Sequence, residues 1–148
     1  MKTRLPHRRR VRGFSLIEVL VSIVVFAVGV LSFLGLQARS VRLSTEAQNR
    51  NIAALLANDL VSRMWVSNRT AATLQANFGS TANGAGYQAW AAKVSASGLP
   101  SASSTVAFSS VAGGGSSATA SSLATITITW QGPANSGSHN YVLQAQMK

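Results

Sequence analysis

Acid–base chemistry has little to work with in this chain. Its carboxylates are Glu18, Glu46 and Asp59, its imidazoles are His7 and His139, and it has no cysteine. Without cysteine there is neither a disulfide framework nor a thiolate metal site. A carboxylate pair needs both members on one substrate, but Glu46 and Asp59 lie on one predicted helix, about 20 Å apart along its axis and on different faces. His139 could activate a serine only with an acid to orient it, and none lies near it in sequence; a loop histidine is expected. Catalytic residues: none; metal ligands: none; no cofactor is implied, and the chain does not read as an enzyme.

Glu18 is the residue out of place. It sits in RRRVRGFSLIEVLVSIVVFAVGV, just after a basic cluster, in an apolar run whose only charge it is. From Phe14 to Leu36 the non-apolar residues besides Glu18 are serines and glycines. A helix over these residues is about 34 Å long, slightly more than a hydrocarbon core of about 30 Å. An acid within such a span costs up to about 3 kcal/mol at its centre, and less near an interface. Either headgroups and protonation relieve Glu18, or it has a functional partner.

The elements around this run give it an orientation. The formal net charge is +10, yet six of the thirteen basic residues precede Phe14. A basic leader before an apolar span places the N-terminus in the cytoplasm and the bulk of the chain on the other side. A secretory signal would have a shorter apolar core with a cleavage site at its far end. Here helix-forming sequence without proline or glycine continues from Gln37 through Val66.

RGFSLIEVL resembles the class III signal of type IV prepilins and type II secretion pseudopilins: basic leader, Gly13, Phe14, and Glu18 as the fifth residue of the apolar helix. The resemblance implies cleavage by a prepilin peptidase between Gly13 and Phe14, N-methylation of Phe14, and loss of His7 with the leader. It further implies that Glu18 pairs with the new amino terminus of a neighbouring subunit and sets axial register. On helical geometry Glu18, Ser22, Gly29 and Ser32 share an arc of about 80°, and small residues there let helices approach closely. Many major pilins carry a proline about twenty residues into the mature helix, a region that holds Gly35 here.

The remaining chain reads as α+β, a long N-terminal helix, half transmembrane, packed on a small antiparallel sheet, as in type IV pilins. Residues 1–13 are the leader, 14–36 the transmembrane and assembly helix, 37–68 the extramembrane half of the helix, 69–103 a loop with a short helical insert, and 104–148 the sheet. Ile52, Leu55, Leu56 and Leu60 form an apolar strip at helical spacing, while Glu46 with Arg50 and Asp59 with Arg63 are i,i+4 pairs on a solvated face. Residues 72–78 add a short turn, FGSTANGAG is a loop, and Tyr87–Ala96 is a helix. Strands are expected at Thr105–Val111, Ala124–Gln131 and Asn140–Met147.

In layout the chain is similar to minor pilins of the PilV type. The missing carboxy-terminal disulfide loop of major pilins favours a minor subunit of a type IV pilus or its initiation complex. The alternatives are a minor pseudopilin of a type II secretion system, a DNA-binding competence pilin, and more remotely an uncleaved membrane-anchored sensor. The resemblance implies as partners other major and minor pilins, prepilin peptidase, the inner-membrane assembly platform, and membrane lipid before assembly. It implies single-pass inner-membrane insertion with a periplasmic domain, then a place in the pilus on the cell surface. Trp65, Trp90 and Trp130 could stack on bases beside Arg63 and Arg69, but core packing is the expectation, and nucleic acid is not an expected partner. The sequon Asn68-Arg69-Thr70 and the Ser-rich loop leave modification open.

Overall fold

Why apolar residues at helical spacing give way to alternation near residue 103 is visible in the computed structural model, which describes residues 15–111, 121–133 and 137–148. Three helices, α1 (Leu16–Val66), α2 (Ala71–Phe78) and α3 (Ala85–Ser95), precede three strands, β1 (Ser103–Val111), β2 (Ser121–Gln131) and β3 (Ser138–Met147). The strands form one antiparallel sheet in the order β1-β2-β3. The chain divides into two compact units, Met1–Val41 and Arg42–Lys148.

In the first unit every described residue is exposed, including Leu16, Ile17, Phe26, Leu31 and Phe33. No other part of the described chain is at once so apolar and so uncovered, and α1 is long and apolar enough there to cross a membrane.

The second unit has its core between the end of α1, the short helices and the sheet. Ala53, Ala57, Leu60 and Met64 of α1 are buried together with Leu74, Phe78, Trp90, Val94 and the inner residues of β2. The expected strip is therefore rotated. Leu60 lies at its centre and Ile52 and Leu56 at its edges, but Leu55 is 70% exposed. The contact line runs through alanines because small side chains let the helix approach a bulky neighbour. Trp90 of α3 fills that space, and its indole N–H donates to the Leu56 carbonyl at 2.8 Å.

From Ser122 to Gln131 the alternation in β2 is unbroken. Ala124, Ile126, Ile128 and Trp130 are buried, and Thr125, Thr127 and Thr129 point the other way, as the period of two requires. Tyr141, Leu143, Ala145 and Met147 share the inner face of β3 as expected, packed against the core. Each strand begins two or three residues before its expected start, where serines precede the apolar alternation. Ser121 and Ser122 belong to β2, with the Ser121 hydroxyl accepting a 2.5 Å bond from the Gln146 amide.

The expected short turn at 72–78 is a full helix, α2, anchored by buried Leu74 and Phe78. The loop after it is shorter than expected because α3 begins at Ala85. A Cβ at Gly84 would meet the carbonyls of Ala76 and Asn77, and one at Gly86 would lie 2.6 Å from the Phe78 ring. Only glycine permits this close return of α3 over the end of α2.

The rotated strip gives an unequal pair of substitutions. Leu60→Ala should lower unfolding stability by about 2 to 5 kcal/mol, whereas Leu55→Ala should cost less than about 0.5 kcal/mol. Urea unfolding of the detergent-solubilised chain, followed by tryptophan fluorescence, measures both; equal losses would contradict the buried alanine line.

Candidate assembly segment and the polar clusters

Gly13 and Phe14, the expected cleavage and methylation residues, lie outside the described residues. Immediately after them comes Ser15, and α1 begins at Leu16. The Ser15 carbonyl accepts from the N–H groups of Glu18 at 2.9 Å and Val19 at 3.4 Å. Glu18 is thus the third helical residue, within the first turn. A carboxylate there faces the positive end of the helix dipole, an effect of about 0.3 to 1 kcal/mol when exposed. The S-x-x-E spacing from Ser15 to Glu18, a helix-start signature, is a legible signal that the charge oddity of Glu18 obscures.

Ser22, Gly29 and Ser32 follow on α1. The Ser22 hydroxyl donates to the Glu18 carbonyl at 2.7 Å and the Ser32 hydroxyl to the Val28 carbonyl at 2.9 Å. Both serines therefore satisfy their polar groups on their own helix, which a segment without access to water requires. Nothing lies within 4 Å of the position a Gly29 Cβ would take. The face is small and polar-neutral, so a neighbouring helix could approach it without stranding a hydroxyl.

Two polar clusters lie in the second unit. His139 is a residue of β3, not of a loop, and its Nδ1 is 3.2 Å from Glu46 Oε1 on α1. Glu46 also faces the Arg50 guanidinium at 3.9 Å, and the His139 ring stacks on Trp130 with centroids 6.1 Å apart. The sequence hides this pairing because ninety-three positions separate the two residues. An acid does orient His139, contrary to expectation. Among the described residues, no group of three or more His, Cys, Asp or Glu residues is placed to hold a metal. Trp130 Nε1, the one buried side-chain polar atom lacking a hydrogen-bond partner among the described residues, lies against this cluster.

Asp59 joins two helices. It accepts from Arg63 Nε at 3.0 Å on α1 and faces Lys93 Nζ of α3 at 3.4 Å. These side chains are more than a third exposed, so the network holds α3 in register more than it adds stability.

Of the three tryptophans, Trp90 and Trp130 are buried, as core packing predicts. Trp65 is instead 46% exposed, with the Arg69 guanidinium 5.5 Å over its ring. Next to it Asn68 is exposed, and its Oδ1 accepts from the Thr70 N–H at 3.0 Å. Thr70 caps α2 in position only, since its hydroxyl bonds Thr73.

With the start of α1 in view, residues 8–34 match the family model of the prokaryotic N-terminal methylation motif. The chain carries an N-terminal methylation motif. This motif is typical of type IV prepilins, and it covers the end of the basic leader, Gly13, Phe14, Glu18, Ser22, Gly29 and Ser32. The match stops short of the sheet domain and does not single out PilV-type minor pilins. No curated protein matches the chain, and no solved structure does.

The Glu46–His139 contact gives a measurable coupling. Glu46→Gln and His139→Gln should each destabilise the fold, and a double-mutant cycle should return a coupling of about 1 kcal/mol, the ordinary worth of a hydrogen bond between half-buried partners. Additive losses in the same urea assay would show that the two side chains do not interact.

Proposed function

We propose that this chain is a minor type IV pilin, a non-catalytic structural subunit of a type IV pilus or its initiation complex. The observation that carries the reading is the methylation motif in register with the start of a membrane-length apolar helix, with Glu18 in its first turn. The precursor inserts once, basic leader in the cytoplasm and second unit on the periplasmic side. Prepilin peptidase cuts after Gly13 and Phe14 becomes N-methylated.

The new amine is a cation beside apolar side chains, and a carboxylate in the same low-dielectric setting is its natural partner. Glu18 fills that role for the amino terminus of a neighbouring subunit, while Ser22, Gly29 and Ser32 form the face on which helices close. Lipid covers the apolar residues before assembly, and major and minor pilins cover them afterwards, with the inner-membrane assembly platform carrying out the exchange. The absence of cysteine removes the disulfide loop of major pilins, which supports a minor, PilV-like subunit. A minor pseudopilin of a type II secretion machine would use the same amino-terminal chemistry. Loss of piliation rather than loss of secretion in a deletion strain separates the two.

A DNA-uptake role has one observation in its favour, the exposed Trp65 beside Arg69. Two of the three tryptophans are buried and cannot stack on bases. Binding of the chain to single-stranded DNA that weakens steeply with salt would support that role.

Mass spectrometry of the assembled subunit should find a chain beginning at N-methylated Phe14, and a peptidase-deficient strain should retain the leader. Mature fibres containing an intact Met1 would refute the proposal. Glu18→Ala should still insert and be cleaved, yet lose incorporation by more than about a hundredfold, since an unpaired buried charge costs on the order of 3 to 5 kcal/mol. Normal incorporation would remove the register role of Glu18.

A further inference from the structure

Where α1 ends, the chain makes a short link that the core does not claim. Met64 is the last buried residue of α1, and Trp65 and Val66 after it are exposed. Ser67 closes the final turn by donating to the Met64 carbonyl, through its N–H at 3.2 Å and its hydroxyl at 2.8 Å. Asn68, Arg69 and Thr70 then run outside any helix or strand, all three exposed, before α2 begins at Ala71.

These three residues are also a sequon. Of the chain's asparagines, only Asn68 is followed two positions on by serine or threonine, with a residue other than proline between. A sequon can accept a saccharide where it lies on a surface loop of an exported region. Asn68 meets the local part of that condition. Its Oδ1 accepts from the Thr70 N–H at 3.0 Å, while its Nδ2 donates to nothing among the described residues. Asn58, by contrast, uses its amide nitrogen on the Ala54 carbonyl at 2.9 Å, and Asn49 is buried. Among the described residues no backbone–backbone hydrogen bond holds Asn68 or Arg69, so the link can straighten in a transferase groove without breaking a helix or a strand. Thr70 keeps its hydroxyl at the surface, bonded to Thr73 at 2.8 Å. The link borders an open hollow of about 390 Å³, walled on the other side by Ser122, Met147 and Lys148. A bulky group on Asn68 therefore displaces no packed side chain.

We propose that Asn68 is an N-glycosylation site that takes its saccharide from a lipid-borne sugar pyrophosphate on the outer side of the membrane. Asn68 Nδ2 attacks C1 of the first sugar and forms the C–N bond. The C1–O bond breaks, its electron pair leaves with the lipid pyrophosphate, and the Nδ2 proton passes to a base on the transferase. The Thr70 N–H at Oδ1 draws amide density toward oxygen, which makes that proton easier to lose. A lipid must carry the donor, because the charged phosphates of a nucleotide sugar do not cross a bilayer unaided. The inference rests on the outward orientation proposed above for the second unit, and not on assembly into a fibre.

Mass spectrometry of peptides from the full chain, purified from its own cells, tests this directly. Peptides containing Asn68 should carry whole sugar residues, with fragmentation placing them on that side chain. Asn68→Gln and Thr70→Ala should each abolish the addition, and Thr70→Ser should retain it. A bare Asn68 overturns the proposal, as does a sugar that survives Thr70→Ala. Orientation is read separately with Ala82→Cys, in the exposed turn after α2, because the chain has no other thiol. On spheroplasts a membrane-impermeant maleimide should label this variant. Labelled chains with a bare Asn68 overturn the acceptor role alone, whereas failure of labelling overturns the outward orientation and this proposal with it. A sugar on Asn68 of unlabelled chains would overturn the lipid-borne donor.

Discussion

An apolar helix cannot leave its side chains in water, and the rest of this molecule depends on how that constraint is met. From Leu16 to Leu36 the side chains of α1 are exposed in the single chain and almost all apolar. At roughly 25 cal/mol for each Å² of apolar surface, such a segment is driven into lipid or against other helices. Its backbone is satisfied within the helix, and its serines return their hydroxyls to carbonyls one turn back. Glu18, the one charge among these residues, lies in the first turn of α1, where the positive end of the helix dipole favours a carboxylate.

After Val41 the same helix meets a different requirement. There it must bury one narrow line and leave the rest in water, so alanines mark the contact and charges occupy the other faces. The sheet supplies the opposing surface through β2, whose inner residues are fully covered. Polar contacts tie the elements together at the margin: Glu46 with His139 between α1 and β3, and Asp59 with Lys93 between α1 and α3. The outer face of β2 and β3 is uncharged, with threonines, asparagine and glutamines beside Leu123 and the exposed Val142.

Helix α1, the three strands and the alternation of β2 were legible in the sequence because period 3.6 and period 2 are local properties that a short window reveals. The methylation motif was legible for the same reason, as an unusual set of residue types in fixed register. Element starts were less so. Serines at the head of β2 have no apolar alternation to report them, and α2 owes its full length to Leu74 and Phe78 packing against residues distant in sequence. Leu55 was misassigned because helical spacing permits several faces, and hydrophobicity alone favours leucines over the alanines that are buried.

By itself the sequence determined the N-terminal device: a basic leader, Gly13, Phe14, Glu18 and an apolar run long enough to span a membrane, all within a contiguous stretch. Only the tertiary structure decided which line of α1 faces the core, because the choice depends on the volume of Trp90 and the close approach it demands. It alone paired His139 with Glu46, and it alone showed Ser80 and Tyr87 donating to the carbonyls of β1. Those outcomes arise from contacts between residues far apart in the chain, where packing volume and hydrogen-bond satisfaction, rather than local periodicity, select the arrangement.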